Sequence, residues 1–300
     1  MKGAEYAELL AFVAVARERN FRRAAARLGL SPSAVSHTLR AVEERLGVRL
    51  LNRTTRSVAL TEAGLALLDR VAPALSDIDA ALEGLSAERG RPTGTVRLNL
   101  PKLAARCLMP AFVDFSQRHP QVRLEISADD NLTDVVAAGF DAGIRLGEYL
   151  HRDMAAVRVT PTLPSVIVGS PAYFAAHPKP RSPEDLQHHL CVHYRFAATG
   201  ALFKWALARR GRTVEVDTRG TLSVDDADLV VDAALRGAGL AFTLKDHAAD
   251  LLAQGRLVAV LEGWCRPFDG FFLYHPGRRQ QRPALRALID HLRVSEPAAA

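Results

Sequence analysis

The sequence predicts an α/β protein with a small, separate helical domain at its N-terminus. From residue 95 onward, strand-like and helix-like segments alternate, which is typical of parallel α/β units. Before residue 47, apolar residues recur at helical spacing in three short segments. The length of 300 residues, about twice that of a usual domain, also favours at least two domains.

The composition is that of an ordinary globular protein. With 48% hydrophobic and 24% charged residues it excludes a disordered chain, a collagen-like fibre and a disulfide scaffold. Cys107, Cys191 and Cys265 are odd in number and far apart, so they predict buried reduced thiols. The longest apolar run, residues 9–16, is far shorter than the roughly 18 residues of a spanning helix, and no basic leader precedes it. These features predict a cytoplasmic protein with no membrane partner.

The positive charge is concentrated at the N-terminus. Residues 1–60 contain eleven basic and five acidic side chains, and this surplus of six equals the formal net charge of +6 of the whole chain. The rest of the chain is therefore balanced. A basic head on a neutral body predicts that a polyanion binds at the N-terminal end.

Three helices are predicted in this head. Helical spacing of apolar residues predicts a first helix from Leu9 that ends at Asn20, and Asn20 is a suitable N-cap for a second helix over residues 21–28. After a turn, Ser31 and Pro32 predict the start of a third helix, which one apolar stripe docks onto the other two.

The other face of the third helix predicts contacts with DNA. It begins with short hydrogen-bonding groups and a basic side chain, as in a helix that meets base edges in the major groove. Residues 48–51 and 57–60 predict two strands joined by a turn with two arginines, which suits backbone phosphates. Residues 1–60 are thus predicted to form a winged helix-turn-helix domain that binds double-stranded DNA. The predicted contacts are Ser31, Pro32, Ser33, Ser36, His37, Arg40, Arg53 and Arg56.

The segment AAARLGLSPSAVSHTLRAVEERLGVRLLNRTTRSVALTEAG resembles the N-terminal signature of the LysR-type transcriptional regulators. Two positions depart from the commonest pattern of that family: Pro32 stands where glutamine is frequent, and Leu51 where phenylalanine is frequent. Pro32 removes a side chain that could read a base. The resemblance implies a transcriptional regulator, with RNA polymerase as a further partner if the protein is an activator.

A long helix is predicted over residues 61–89, between the head and the body. Its apolar residues are spaced alternately by three and four positions, which is typical of a coiled-coil seam. A helix packed on its own domain is the alternative, and Pro73 predicts a local kink. In the family the corresponding helix pairs two subunits, which implies a dimer or tetramer. The predicted dimer contacts are Leu68, Val71, Leu75, Ile78, Leu82 and Leu85.

After a polar Gly/Pro linker, residues 90–300 are predicted to form the second domain. Strands are predicted at 95–100, 122–127, 142–146, 155–168, 191–194, 214–222, 240–243, 258–261 and 271–274, and helices at 102–118, 132–138, 202–209, 227–236 and 282–292. This order, with the segments GSPAYFAAHP, RGAGLAF and FDAGIRLG, is similar to the effector domain of the LysR family. The similarity implies a two-lobed type 2 periplasmic-binding-protein fold and a small-molecule effector. Lobe 1 is expected at about 95–162 and 268–293, and lobe 2 at about 163–267.

The effector is expected in a cleft beyond the carboxyl ends of the strands, where ligands of open α/β sheets bind. Lys102 and Arg145, together with a helix N-terminus, would favour an anionic effector. The alternative is that Lys102 faces solvent and that Arg145 pairs with Asp129 or Asp130. The candidate contacts are Pro101, Lys102, Asp129, Asp130, Arg145, Tyr194, Arg195, Ser223, Asp225 and Thr243.

No enzymatic activity, cofactor or metal is predicted. The motifs G-x-S-x-G, H-E-x-x-H and G-x-G-x-x-G and the P-loop are missing from the sequence. A cluster of His188, His189, Cys191 and His193 has metal-like composition, but no second pair with matching spacing follows it, so a structural role is expected. The competing interpretation is a soluble small-molecule-binding protein or enzyme with a helical appendage and no role at DNA.

Overall fold

The computed structural model describes residues 3–53, 58–87, 92–131, 135, 138–147, 154–197, 199–209, 212–277 and 281–294. The α-helices are α1 (Gly3–Glu18), α2 (Phe21–Leu28), α3 (Pro32–Leu46), α4 (Glu62–Ala87), α5 (Lys102–Arg118), α6 (Pro171–Ala176), α7 (Ala227–Leu235), α8 (Ala249–Ala253) and α9 (Pro283–Leu292). The strands are β1 (Leu51–Arg53), β2 (Val58–Leu60), β3 (Gly94–Leu100), β4 (Val122–Ala128), β5 (Ala142–Leu146), β6 (Met154–Arg158), β7 (Ser165–Gly169), β8 (His193–Tyr194), β9 (Trp205–Arg209), β10 (Arg212–Val216), β11 (Ser223–Val224), β12 (Ala241–Leu244), β13 (Val258–Val260) and β14 (Phe271–Pro276).

Local capping fixes the helix-turn-helix of the head. The Asn20 side chain caps α2 by accepting two backbone N–H groups at 2.9 and 3.1 Å, and Ser31 caps α3 by accepting one at 3.2 Å. Both helices end at a glycine in the left-handed region, Gly29 at φ 66° and Gly47 at φ 68°. These caps place α2 and α3 on either side of a short turn, as the sequence predicts.

The wing is a β-hairpin in which Leu51 pairs with Leu60 and Arg53 with Val58. Its first strand begins at Leu51, later than the predicted residue 48. The Glu43 carboxylate on α3 accepts the backbone N–H groups of Leu50 and Leu51 at 2.9 and 3.1 Å, and so anchors the chain just before the hairpin. Asn52 and Arg53, predicted in the turn, lie instead in β1, because they pair with Ala59 and Val58. The rest of the predicted turn, with Arg56, and the side chain of Arg53 lie outside the described residues.

Helix α4 starts as part of the head. Leu68 and Leu75 are 5% and 6% exposed, and they lie in the head core, with Val71 packed against it. The expected subunit contact must be corrected for Leu68 and Leu75, because their side chains already fill the core of their own domain. Ile78 is 39% exposed, whereas the side chains of residues 79–87, including Leu82 and Leu85, lie outside the description.

The first lobe of the body is a five-stranded sheet of order β4-β3-β5-β14-β6. Strand β3 is parallel to β4 and β5, while β14 is antiparallel to both of its neighbours. Helices α5 and α9 contribute Phe112, Phe115, Leu288 and Leu292 to the core of this lobe. Strand β14 is the segment that returns from the second lobe.

The second lobe contains a three-stranded antiparallel sheet of order β12-β7-β13, a β9-β10 hairpin and a short parallel β8-β11 pair. The chain crosses between the lobes after β6 and again before β14. At the crossing, Leu163 and Phe268 exchange two backbone hydrogen bonds of 2.9 Å. The two crossing segments therefore form one paired connection between the lobes.

Three predictions for the body were wrong. Residues 205–209 form strand β9 instead of a helix, because Trp205 and Leu207 alternate inward with period two and pair with β10. The predicted strand 155–168 is divided into β6 and β7, with Pro161 and Pro164 between them, which cannot donate to a strand ladder. The predicted strand 214–222 ends at Val216 as β10.

The fold class is as predicted, a winged helix-turn-helix head followed by a two-lobed α/β body. Most of the predicted helix 132–138 lies outside the described residues. Cys107, Cys191 and Cys265 are free thiols. In the part of the chain that the structure describes, no helix is long and apolar enough to cross a membrane.

Candidate DNA-binding face and ligand cavity

The first half of α3 presents the predicted DNA contacts. Ser31, Pro32, Ser33, His37 and Arg40 are exposed, and Ser36 is partly exposed. Arg40 makes no ion pair with any residue in the described ranges, whereas Arg45, further along the same helix, binds Glu8 at 2.5 Å. The Arg40 guanidinium is therefore exposed and without an ion pair among the described residues. Ser36 and His37 precede it by one turn on the same face of α3. Ser31 also caps α3, which gives it a structural role.

A cavity of about 330 Å³ lies between the two lobes. Its volume is at the lower end of the range for small-molecule sites, roughly 300–1,000 Å³. Lobe 1 supplies residues from β5 and the start of α5, and lobe 2 supplies residues from β12, the start of α7 and the segment before β9. The predicted effector contacts that line it are Pro101, Asp130, Arg145, Tyr194 and Thr243.

Aromatic side chains form much of the cavity wall, and sequence reasoning missed most of them. Phe203 contacts both Phe242 and Phe268, with ring centroids 5.6 and 6.1 Å apart, and Phe196 packs edge-on against Tyr194. The segment before β9 supplies Phe196 and Phe203. The wrong prediction of a helix over residues 202–209 concealed the inward position of Phe203. The alternating pattern of residues 203–207 is the signal that could have identified its inward side chains.

Arg145 is the buried cation of the cavity. Among the described residues, its side chain is bonded to neutral oxygens: Nη1 donates to the carbonyls of Asn99 and Ile144 at 3.2 and 2.8 Å, and Nη2 donates to Asn99 Oδ1 at 2.5 Å and to the Asn131 carbonyl at 2.9 Å. Arg145 is 4% exposed, and its burial lowers its pKa. No carboxylate in the described ranges forms an ion pair with it, so the expected pairing with Asp129 or Asp130 is not observed.

The structure gives Lys102 a different role from the predicted one. Its ammonium binds Asp226 at the start of α7 at 2.5 Å, and Lys102 does not line the cavity. This hydrogen bond raises the pKa of Lys102 and lowers that of Asp226. One turn later, Arg106 binds Asp228 at 3.0 Å. Because α5 belongs to lobe 1 and α7 to lobe 2, the two ion pairs join the lobes, and the predicted anion contact at Lys102 is corrected.

A chain of polar groups links this bridge to the cavity. His247 Nε2 lies 2.7 Å from Asp228 Oδ1, and His247 Nδ1 lies 3.0 Å from the hydroxyl of Thr243, which lines the cavity. The cavity wall and the interlobe ion pairs are therefore connected through one histidine.

The other predicted effector contacts lie outside the cavity lining: Asp129, Arg195, Ser223 and Asp225. Ser223 lies in the β8-β11 pair, and Asp129 accepts two hydrogen bonds from Asn131 at 3.0 and 2.7 Å. A position after a strand is therefore not sufficient to reach the cavity.

The histidine and cysteine cluster is engaged in hydrogen bonds and packing. His189 hydrogen-bonds Tyr173 at 3.1 Å, and His193 hydrogen-bonds Thr218 at 3.0 Å. Burial raises the pKa of the Cys191 thiol to about 12, which keeps it protonated at neutral pH. Among the described residues, no group of three His, Cys, Asp or Glu side chains could hold a metal ion.

An exposed helix-turn-helix face and an interlobe cavity together define a ligand-responsive DNA-binding regulator. Residues 6–65 match the family model of bacterial regulatory helix-turn-helix proteins of the lysR family, and residues 89–295 match that of the LysR substrate binding domain. The chain belongs to the LysR family of transcriptional regulators. It is a regulator whose DNA binding is modulated by a small-molecule effector, and the alternative without a role at DNA does not fit these matches.

Relatives match along almost the whole chain. The HTH-type transcriptional regulator PgrR of Escherichia coli K12 is 43% identical over 294 residues, which cover 98% of each chain. The HTH-type transcriptional regulator PtxR of Pseudomonas aeruginosa is 32% identical over 286 residues, 95% of this chain and 91% of PtxR. The full-length structure of AphB, a Vibrio cholerae virulence activator, has a TM-score of 0.63 at 25% identity and covers 96% of this chain and 98% of AphB.

The hydrogen bonds around Arg145 predict that Asn99→Ala destabilises the effector domain. The change removes an acceptor from a buried cation, which costs about 2 kcal/mol in the free energy of unfolding. Asn131→Ala is the matched control, since Asn131 binds Arg145 through its backbone carbonyl, which the substitution keeps, and the side-chain hydrogen bond to Asp129 that it removes is exposed. Urea unfolding of both variants measures the difference, and equal stability would contradict the role of the Asn99 side chain.

Proposed function

We propose that this regulator binds duplex DNA through the first half of α3 and the β1-β2 wing, and that its effector is a small anion with a largely apolar body. The observation that supports the ligand class is the buried Arg145 guanidinium, bonded to neutral oxygens in a cavity with aromatic walls. A buried charge to which no carboxylate is directly paired is costly, so an anion beside it is stabilised.

We propose self-association as a dimer or tetramer through the later part of α4, and Ile78, whose side chain is 39% exposed, is a proposed contact. A cytoplasmic location follows from the role at DNA, and RNA polymerase is a partner if the protein is an activator. We propose no catalytic role for the Cys191 thiol, because burial keeps it protonated and it does not line the cavity.

The ligand class is tested with matched pairs of carboxylic acids and their primary amides, each carrying an aromatic or branched aliphatic body. We expect the acid of a pair to raise the melting temperature of the full chain more than its amide, because only the acid neutralises Arg145. At a ligand concentration of 100 times Kd the gain in stability is about 2.7 kcal/mol. Equal shifts from acids and amides would contradict the anionic class.

The DNA-binding proposal predicts that Arg40→Ala weakens binding to the specific site by about 1 to 3 kcal/mol and relaxes sequence preference. Arg53→Ala should weaken all sequences alike and reduce the salt slope by about one. Arg45→Ala is the control on the same helix, because Arg45 is already paired with Glu8. Anisotropy titrations of specific and scrambled duplexes at several salt concentrations separate these effects; a preserved preference in Arg40→Ala would refute base readout by that side chain.

The assembly proposal predicts that Ile78→Glu dissociates the oligomer without unfolding the head, since Ile78 lies outside the head core. Leu65→Glu is the control, because Leu65 is equally apolar, 49% exposed and off the seam. Leu75→Glu should instead destabilise the head by about 3 kcal/mol, because it places a charge in the core. Sedimentation velocity and circular dichroism measure both effects. An unchanged oligomer in Ile78→Glu would show that the seam is not the contact.

A further inference from the structure

The cavity contains an acidic group as well as the basic one. Asp130 and Arg145 both line it, and both come from lobe 1. Burial lowers the pKa of Arg145, and Tyr274, Asp129 and Asp130 act on it in the opposite direction. The polar part of the cavity therefore carries one acidic and one basic side chain, and the other walls are mainly aromatic and aliphatic.

The cations at the cleft do not neutralise this acidic group. Lys102 and Arg106 are paired with Asp226 and Asp228. Asp130 accepts the backbone N–H of Lys102 at 3.0 Å, and no cationic side chain in the described ranges lies within ion-pair distance of it. Burial raises the pKa of Asp130, and this effect outweighs the opposing effects of the Lys102 backbone N–H and ammonium. Among the described residues, Asp130 therefore lacks a directly paired counter-charge.

Charge balance around Arg145 disfavours a ligand that is only anionic. Two carboxylates, Asp129 and Asp130, already act on the single guanidinium. A simple carboxylate would add a third negative charge to this group, whereas a ligand with an ammonium beside its carboxylate would add none. The ammonium would also supply the counter-charge that Asp130 lacks.

From this arrangement we propose that the effector is a small zwitterion with an apolar side chain, such as a hydrophobic α-amino acid, whose carboxylate lies toward Arg145 and whose ammonium lies toward Asp130. The aromatic wall of Phe203, Phe242 and Phe268 receives the side chain. This inference rests on the anionic group of the proposed effector, which it identifies as a carboxylate, and it adds an ammonium beside that carboxylate.

The experiment compares the binding of two sets of probes to the full chain. Each set has one apolar body and consists of an amino acid, the corresponding acid and the corresponding amine. The aromatic set is L-phenylalanine, 3-phenylpropionate and 2-phenylethylamine, and the aliphatic set is L-leucine, 4-methylpentanoate and 3-methylbutylamine. Calorimetry and thermal shifts at up to about 10 mM give the affinities. We expect the amino acid of at least one set to bind at least tenfold more tightly than its acid or its amine, a difference of about 1.4 kcal/mol.

The outcomes distinguish this inference from the proposed function. If the acid binds as well as the amino acid, the zwitterion is wrong and the anionic effector stands. If the amine binds best, or if no probe binds, both are wrong.

Two variants test the assignment of the ammonium to Asp130. Asp130→Asn removes the carboxylate with little change in shape, so the amino acid should lose its tenfold advantage over the acid. Asp225→Asn is the matched control, since Asp225 is exposed near the start of α7 and does not line the cavity. An unchanged ratio of affinities in Asp130→Asn, or an equal loss in Asp225→Asn, would overturn the assignment.

Discussion

The hydrogen bonding of the Arg145 guanidinium is the constraint on which the cavity depends. Arginine stays charged in proteins, so a buried guanidinium must be surrounded by acceptors. Arg145 lies on β5 and takes its acceptors from β3 and β5 and from the Asn131 carbonyl after β4. These contacts tie three segments of lobe 1 together at one edge of the cavity. They also leave a positive charge that no carboxylate of the described residues pairs with directly, which is the main electrostatic feature of the site.

The second constraint is the closure of the lobes around this cavity. The ion pairs from Lys102 and Arg106 to the start of α7 lie at the surface, where such pairs are individually weak. These two pairs therefore contribute little to the free energy that holds the lobes together. The link from Thr243 through His247 to Asp228 connects a ligand-facing side chain to this bridge.

Much of the fold could be predicted because its signals are local. The caps at Asn20 and Ser31, the glycines after α2 and α3, and the apolar stripe of α3 each depend on residues a few positions apart. Helices α2 and α5 have the predicted bounds, and α3 begins at the predicted Pro32. The segment from Phe203 to Arg209 was mistaken for a helix because its alanine, leucine and arginine favour helices in isolation. Pairing with β10 and burial of Trp205 made it a strand.

The sequence by itself determined the class of the protein: a basic helix-turn-helix head, a long α4 and a two-lobed α/β body that binds an effector. Only the tertiary structure decided the partners of individual side chains. Leu75 fits a coiled-coil seam by spacing, yet it lies in the head core. Lys102 follows a strand, as a ligand contact should, yet Asp226, which is 124 positions away, holds its ammonium. Spacing along a chain fixes which face of an element a side chain occupies, whereas the group opposite that face depends on how distant elements pack.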